Sequence, residues 1–163
     1  MKWLLKNKFP YDSNTFAEAA MSENLENMKW LFENDFPYDE RVFYFSVWRG
    51  NLENIEWLLG NEFPYNEYVY DEAIKNGDLV IIKLLYENKI SYNDDIFSIA
   101  AENENLEIMK WLLKNEFPYD EEIFSIAIEK ENLEIMEWLL ENEFPYDEEI
   151  YVFAAKNEKD KKY

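Results

Sequence analysis

Residues 123–149 read IFSIAIEKENLEIMEWLLENEFPYDEE, and these 27 residues are one copy of a unit that fills the chain. The Phe144-Pro145 pair returns as Phe117-Pro118, Phe63-Pro64, Phe36-Pro37 and Phe9-Pro10, with Ile90-Ser91 as the departure. Trp138 returns as Trp111, Trp57, Trp30 and Trp3, and Leu84 stands in its place in the departing copy. Leu133 returns as Leu106, Leu79, Leu52 and Leu25. The spacing of 27 never slips. A fixed period of about 20–50 residues marks a solenoid, in which each unit buries its apolar face only against its neighbours.

Each unit reads as two helices. Asp120 and its equivalents Asp12, Asp39, Asn66, Asn93 and Asp147 are expected to cap the first helix, because their side-chain oxygens accept from orphan N–H groups of the first turn. Acidic residues follow (Glu121, Glu122; Asp94, Asp95), where the positive helix end favours them. Phe124, Ala127 and Ile128 form an apolar stripe at helical spacing. The small residue recurs as Ala19, Ser46, Ala73, Ala100 and Ala154, which predicts a close helix–helix approach. A second helix starts after Asn132 (Asn24, Asn51, Asp78 and Asn105 elsewhere) and is expected to bury Leu133, Met136, Leu139 and Leu140. Trp57, Trp111 and Trp138 are expected in that core. Asn142, with Asn7, Asn34, Asn61, Asn88 and Asn115, should end the helix by adopting the left-handed conformation. The Phe-Pro-Tyr segment then enforces an extended exit, since a residue before proline is pushed out of the helical region.

The chain thus reads as a single all-α repeat array over residues 1–163, about six copies in all. Residues 1–11 are a partial unit, 12–146 are five full periods, 147–157 are a second partial unit and 158–163 are a polar tail.

The composition excludes several functions. There is no cysteine and no histidine, which removes thiolate chemistry, Cys/His zinc sites and the commonest general base. A net charge of −20 opposes binding to nucleic acid and to anionic membrane surfaces, and favours a basic partner. The opening MKWLLKNKFP is not expected to be a targeting segment, because Lys6 and Lys8 interrupt its apolar run, and the longest apolar stretch, Leu79 to Ile82, is far short of a membrane span. The carboxylates recur at helix starts and on polar faces, where solubility and capping demand them, so no catalytic residue, metal ligand or cofactor site is expected.

The segment AIEKENLEIMEWLLENE, together with the Gly50-Asn51-Leu52-Glu53 and Gly77-Asp78-Leu79 turns, resembles the core of an ankyrin repeat. In that family an Ala-rich first helix leads through a Gly-Asn/His-Leu-Glu turn into a Leu-rich second helix. Two features depart from the family pattern. The Thr-Pro-Leu-His opening is missing, and each unit is shorter than the usual length of about 33 residues. The resemblance therefore implies a solenoid of helix-loop-helix repeats with the β-hairpin fingers lost or reduced. The Trp-Leu-Leu…Asn-x-Phe-Pro-Tyr-Asp variant is similar to ankyrin proteins of giant amoeba-infecting viruses. By resemblance the protein is a non-catalytic, intracellular and cytoplasmic scaffold for a protein partner, in the host cytoplasm if viral. The alternatives are a structural protein that self-associates end to end, or a fragment of a longer array.

One copy breaks the pattern where partners would bind. In residues 41–49, RVFYFSVWR, Trp48 replaces Met21, Lys75, Glu102, Glu129 or Lys156 of the other copies. Tyr44 and Phe45 stand where other copies have Ala17 and Glu18 or Asp71 and Glu72. Both arginines of the chain, Arg41 and Arg49, flank this helix. Exposed Trp, Tyr and Arg dominate binding hot spots, which makes Tyr44, Phe45, Trp48 and Arg49 the candidate partner-binding residues; the other reading has the aromatics absorbed into an altered core. Phe45, Ile99, Ile126 and Phe153 read either as an apolar binding ridge or as packing between neighbouring first helices. Val80 and Ile81 replace a polar pair of the type Glu53 and Asn54.

Overall fold

A computed structural model describes residues 6, 7 and 10–146. Most of residues 1–11, the whole of 147–163 and with it Phe153 lie outside the described residues. The chain divides into two compact units, Met1–Ser91 and Tyr92–Tyr163, and the division falls at the one loop where Ile-Ser replaces Phe-Pro. The first unit holds α1 (Ser13–Met21), α2 (Leu25–Glu33), α3 (Arg41–Trp48), α4 (Leu52–Gly60), α5 (Val69–Lys75) and α6 (Leu79–Glu87). The second holds α7 (Ile96–Glu102), α8 (Leu106–Lys114), α9 (Ile123–Glu129) and α10 (Leu133–Glu141). Odd-numbered helices are the first of each pair and even-numbered ones the second, and each pair packs together. Among the described residues there is no strand, so the connections carry no β-hairpin.

First helices lie side by side, α1 on α3 and α3 on α5 in the first unit, α7 on α9 in the second. Their buried positions come as i, i+1, i+4 and i+5: Val42, Phe43, Ser46 and Val47 in α3, and Ile96, Phe97, Ala100 and Ala101 in α7. The recurring small residue sits at the centre of each set, as the close approach requires. Ser46 is fully buried and its hydroxyl donates to the Val42 carbonyl at 2.9 Å, so no polar group is orphaned there. The expected stripe is thus present and gains one position: Phe124 and Ala127 are buried, Ile123 is buried with them, and Ile128 is only half-buried.

Second helices bury Ile135, Met136 and Leu139 and their equivalents, except in α2, where Asn27 is exposed and Leu25 is buried in its stead. Leu133 and Leu140 are instead 59% and 47% exposed, because i−3 and i+4 from Met136 fall on the flanks of the helix. The tryptophans are half-buried at Trp30, Trp57, Trp111 and Trp138. Each lies across the loop phenylalanine six residues on, at 5.6 Å for Trp30–Phe36, 5.2 Å for Trp57–Phe63, 5.5 Å for Trp111–Phe117 and 5.4 Å for Trp138–Phe144. The row is a lid over the loop and not the core itself.

The helix ends differ from expectation in an instructive way. All ten described helices are followed by a residue with φ between 54° and 70°, and only Gly50 and Gly77 are glycine. After the second helices that residue is Asp35, Glu62, Lys89, Glu116 or Glu143, one beyond the recurrent asparagine. The asparagines keep negative φ, −110° at Asn34 and −102° at Asn142. Their side-chain amides donate back to the carbonyl four residues earlier, from Asn34 to Trp30 at 2.8 Å and from Asn61 to Trp57 at 2.7 Å. The same bond forms from Asn115 to Trp111 and from Asn142 to Trp138, each at 2.8 Å. The asparagine side chain thus adds a hydrogen bond to a last-turn carbonyl that, at Trp57, Trp111 and Trp138, the asparagine's own backbone N–H already reaches.

One residue further on, the Phe63 N–H donates to the Leu58 carbonyl at 3.1 Å, and Phe117 bonds Leu112 in the same way. This is the Schellman closure, with its apolar residue folded back onto the helix. Those bonds hold acidic residues in a left-handed conformation that costs about 1–2 kcal/mol without them.

The start signals divide into two kinds. Asn24, Asn51, Asn105 and Asn132 cap the second helices, each accepting from the N–H three residues on at 2.9–3.1 Å. Before the first helices the acceptance is two residues on: Asn14 N–H to Asp12 at 3.0 Å, Arg41 N–H to Asp39 at 3.1 Å, Glu122 N–H to Asp120 at 2.9 Å. The three later first helices start a residue or two beyond that turn, which leaves them only seven residues long.

Arg41 adds a tie between repeats. Its guanidinium grips Asp39 through Nε at 2.9 Å and Nη2 at 2.6 Å, and reaches Asn14 Oδ1 at 2.6 Å and Ser13 Oγ at 2.9 Å. The Arg41 hydrogen bonds hold the Asp39 carboxyl down at about 2.

Two outcomes follow from these contacts. Asn54 is fully buried where α6, α8 and α10 carry Ile81, Ile108 and Ile135, and neither its Oδ1 nor its Nδ2 has a hydrogen-bond partner. Asn54→Ile should raise stability by about 1 kcal/mol or more in a urea melt; an unchanged or lower stability would contradict the assignment. Because the Asp39 value is depressed, its contribution to stability is complete above the unfolded value of 3.8 and is lost as pH falls through about 2. Arg41→Ala should return the Asp39 carboxyl to its ordinary range in an NMR titration, and a titration still centred near 2 would show that Arg41 is not its cause.

Candidate functional site

Helix α3 presents the four candidate residues along one side. Val42, Phe43, Ser46 and Val47 point inward, which turns Tyr44, Phe45 and Trp48 toward the opposite face. Tyr44 and Phe45 are half-buried and Trp48 is 42% exposed. The rings stand at steep angles, Tyr44 to Phe45 at 5.6 Å and 68°, Phe45 to Trp48 at 6.4 Å and 67°. The indole therefore lies on the surface and is not absorbed into an altered core.

Arg49 is exposed but engaged. Its Nε donates to the Met21 carbonyl at 2.8 Å, Glu23 lies 3.7 Å away, and its guanidinium carbon stands 5.1 Å from the Trp48 ring centroid. It thus ties α3 to the end of α1 while covering part of the indole. On the other side Asn76, the cap residue of α5, donates to the Trp48 carbonyl at 3.0 Å and the Val47 carbonyl at 3.2 Å. The aromatic strip is consequently held on a helix fixed at its C-terminal end from both neighbours.

The flanking residues follow from the period, and sequence reasoning focused on α3 missed them. One repeat to either side of Phe45 are Glu18 and Glu72; one repeat to either side of Trp48 are Met21 and Lys75. Lys75 bonds Glu72 at 3.0 Å, and that bond holds the Lys75 ammonium above its usual range. Burial raises the Tyr44 phenol, and the nearby Glu72 carboxylate raises it further, so Tyr44 stays protonated and able to donate at neutral pH. The 27-residue offset was the signal that could have found this frame.

Other features flagged in the sequence sort differently. Phe45, Ile99 and Ile126 are all half-buried on first helices that touch a neighbour. Val80 is 61% exposed while Ile81 is buried, so that pair faces two ways and only Val80 belongs to the surface. No group of three or more acidic side chains is placed to hold a metal ion among the described residues. Within them, no helix is long and apolar enough to cross a membrane.

Comparison with known proteins agrees with the architecture. Residues 70–150 match the family model described as ankyrin repeats (3 copies), and residues 16–59 match ankyrin repeats (many copies). A search of curated proteins returns no match. Both matches are to ankyrin repeats and together they span most of the chain and its helix pairs: it belongs to the ankyrin-repeat family.

Proposed function

We propose that this chain is a non-catalytic scaffold that docks a protein partner on the exposed face of α3, through Tyr44, Phe45, Trp48 and Arg49. Ankyrin repeats serve protein–protein interaction, and no catalytic family is detected on the chain. The observation that carries the reading is Trp48, 42% exposed on a helix whose other copies carry Met, Lys or Glu at that position. An aromatic ring fixed on a helix loses little entropy on binding and can bury a large area. An uninterrupted 27-residue spacing supports treating residues 1–163 as one array. An intracellular setting is part of the proposal, and so is a viral source, which rests on the Trp-Leu-Leu…Phe-Pro-Tyr variant alone.

A second reading draws on a different observation. Leu133 and Leu140 on α10 are 59% and 47% exposed, which offers an apolar surface for self-association. Light scattering across a concentration series separates the two, since only self-association makes the mass climb with concentration.

Losing a hot-spot anchor costs at least about 2 kcal/mol of binding energy, or roughly thirtyfold in affinity. Proteins captured by the wild-type chain should be lost from Trp48→Ala, and a purified partner should bind that variant at least roughly thirtyfold more weakly. Its melting temperature should be nearly unchanged, because the indole is on the surface. A variant that melts early yet binds normally would overturn the proposal.

A further inference from the structure

The groups around the aromatic strip specify what chemistry it accepts. Tyr44, Phe45 and Trp48 meet at angles of 68° and 67°, so they stand as walls and do not stack flat on one another. Ring faces carry negative potential and attract cations, most strongly at Trp. The chain already demonstrates this, with the Arg49 guanidinium 5.1 Å from the centre of the Trp48 ring.

Carboxylates bracket the strip. On the α1 side are Glu18, one repeat back from Phe45, and Glu23, 3.7 Å from Arg49. On the α5 side are Asp71 and Glu72, both acting on the Tyr44 phenol. Arg49 and Lys75 each pair with one of these carboxylates, which leaves the frame of the strip negative. Glu18 is exposed and forms no ion pair among the described residues. The whole chain repeats the sign, at −20.

Resting on the docking reading above, we infer that the α3 face takes a Lys or Arg side chain from a basic protein segment. The rings of Tyr44, Phe45 and Trp48 receive the cation, and Glu18 and Glu72 balance its charge. Arg49 and Lys75 hold Glu23 and Glu72 in place beside the rings. An acidic segment would meet the exposed Glu18 carboxylate and a frame that is negative overall, and is disfavoured there.

The test uses three twelve-residue probes, one alternating Arg and Ser, one with citrulline replacing Arg, and one with Glu replacing Arg. Binding to the full chain is followed by NMR of the indole N–H and aromatic ring signals. The Arg probe should shift the Trp48, Phe45 and Tyr44 signals, and the other two should leave them in place. Its affinity should fall at least about tenfold in Trp48→Ala and in the double variant Glu18→Gln/Glu72→Gln. It should fall less than about twofold in Glu134→Gln/Glu137→Gln, which removes the same charge from α10. The Glu18/Glu72 variant keeps every ring and guards against a folding defect in Trp48→Ala.

Shifts spread evenly over the acidic surface, with Trp48→Ala binding as tightly as wild type, would mean general charge attraction and overturn the inference. Equal binding of the citrulline probe at Trp48 would overturn the cation preference and leave the docking face standing. Failure of every probe to reach α3 would also overturn it, whereas the docking reading falls only if a captured partner binds Trp48→Ala normally.

Discussion

The loop phenylalanine is the contact on which the rest of the structure depends. Phe36, Phe63, Phe117 and Phe144 are 2–6% exposed, each closing its own second helix through a backbone N–H and lying under that helix's tryptophan. Each also lies against the tyrosine of the preceding loop, at 4.1 Å for Tyr11–Phe36, 4.3 Å for Tyr38–Phe63, 4.6 Å for Tyr92–Phe117 and 4.3 Å for Tyr119–Phe144. First helices join the same seam, with Phe16 5.4 Å from Phe63 and Phe97 5.6 Å from Phe144. One side chain thus ends a helix, fills a layer and joins that layer to the one before. In a repeat of only 27 residues with no hairpin finger, the loop takes on the stacking role.

Because the seam and the buried sets carry the cohesion, the outward side of the first helices is free to vary. There Glu18, Phe45 and Glu72 occupy the same register with opposite chemistry. The variation is concentrated on α3, which is also the helix best tied down, by Arg41 and Arg49 to α1 and by Asn76 to α5. A surface that presents three aromatics on a fixed helix meets the requirement for preorganised recognition. In that register Glu18 and Glu72 are charged, while Ile99 and Ile126 are half-buried on first helices.

Much of this was legible in the sequence for a physical reason. Periodicity exposes helices, caps and loops whenever each copy solves the same problem, so the helix pairs, the second-helix asparagine caps and the Phe-Pro-Tyr exits could be read directly. What could not be read was the rotation of each helix about its axis. A tryptophan repeated at helical spacing fits a core or a lid equally well, and only the loop Phe beside it decides. Asparagine's tolerance of the left-handed conformation points to the backbone of Asn142, yet that backbone keeps a negative φ and it is the side chain that bonds the helix end. Asn54 reads as half of a polar pair but is buried like Ile81, Ile108 and Ile135, whereas Asn27 in the same register is exposed. On α3 the aromatics were visible at once, but their exposure and their carboxylate frame come from neighbours 27 residues away.

The seam is tested most directly by a double-mutant cycle on Tyr38 and Phe63, the pair that joins two adjacent loops. Unfolding free energies of Tyr38→Leu, Phe63→Leu and the double variant isolate what the two rings contribute together. A coupling of about 0.5–1.5 kcal/mol, the range for aromatic pairs beyond their area burial, is the expected result. Effects that add to within about 0.3 kcal/mol would mean the rings are merely near one another, and that the repeats are held together elsewhere.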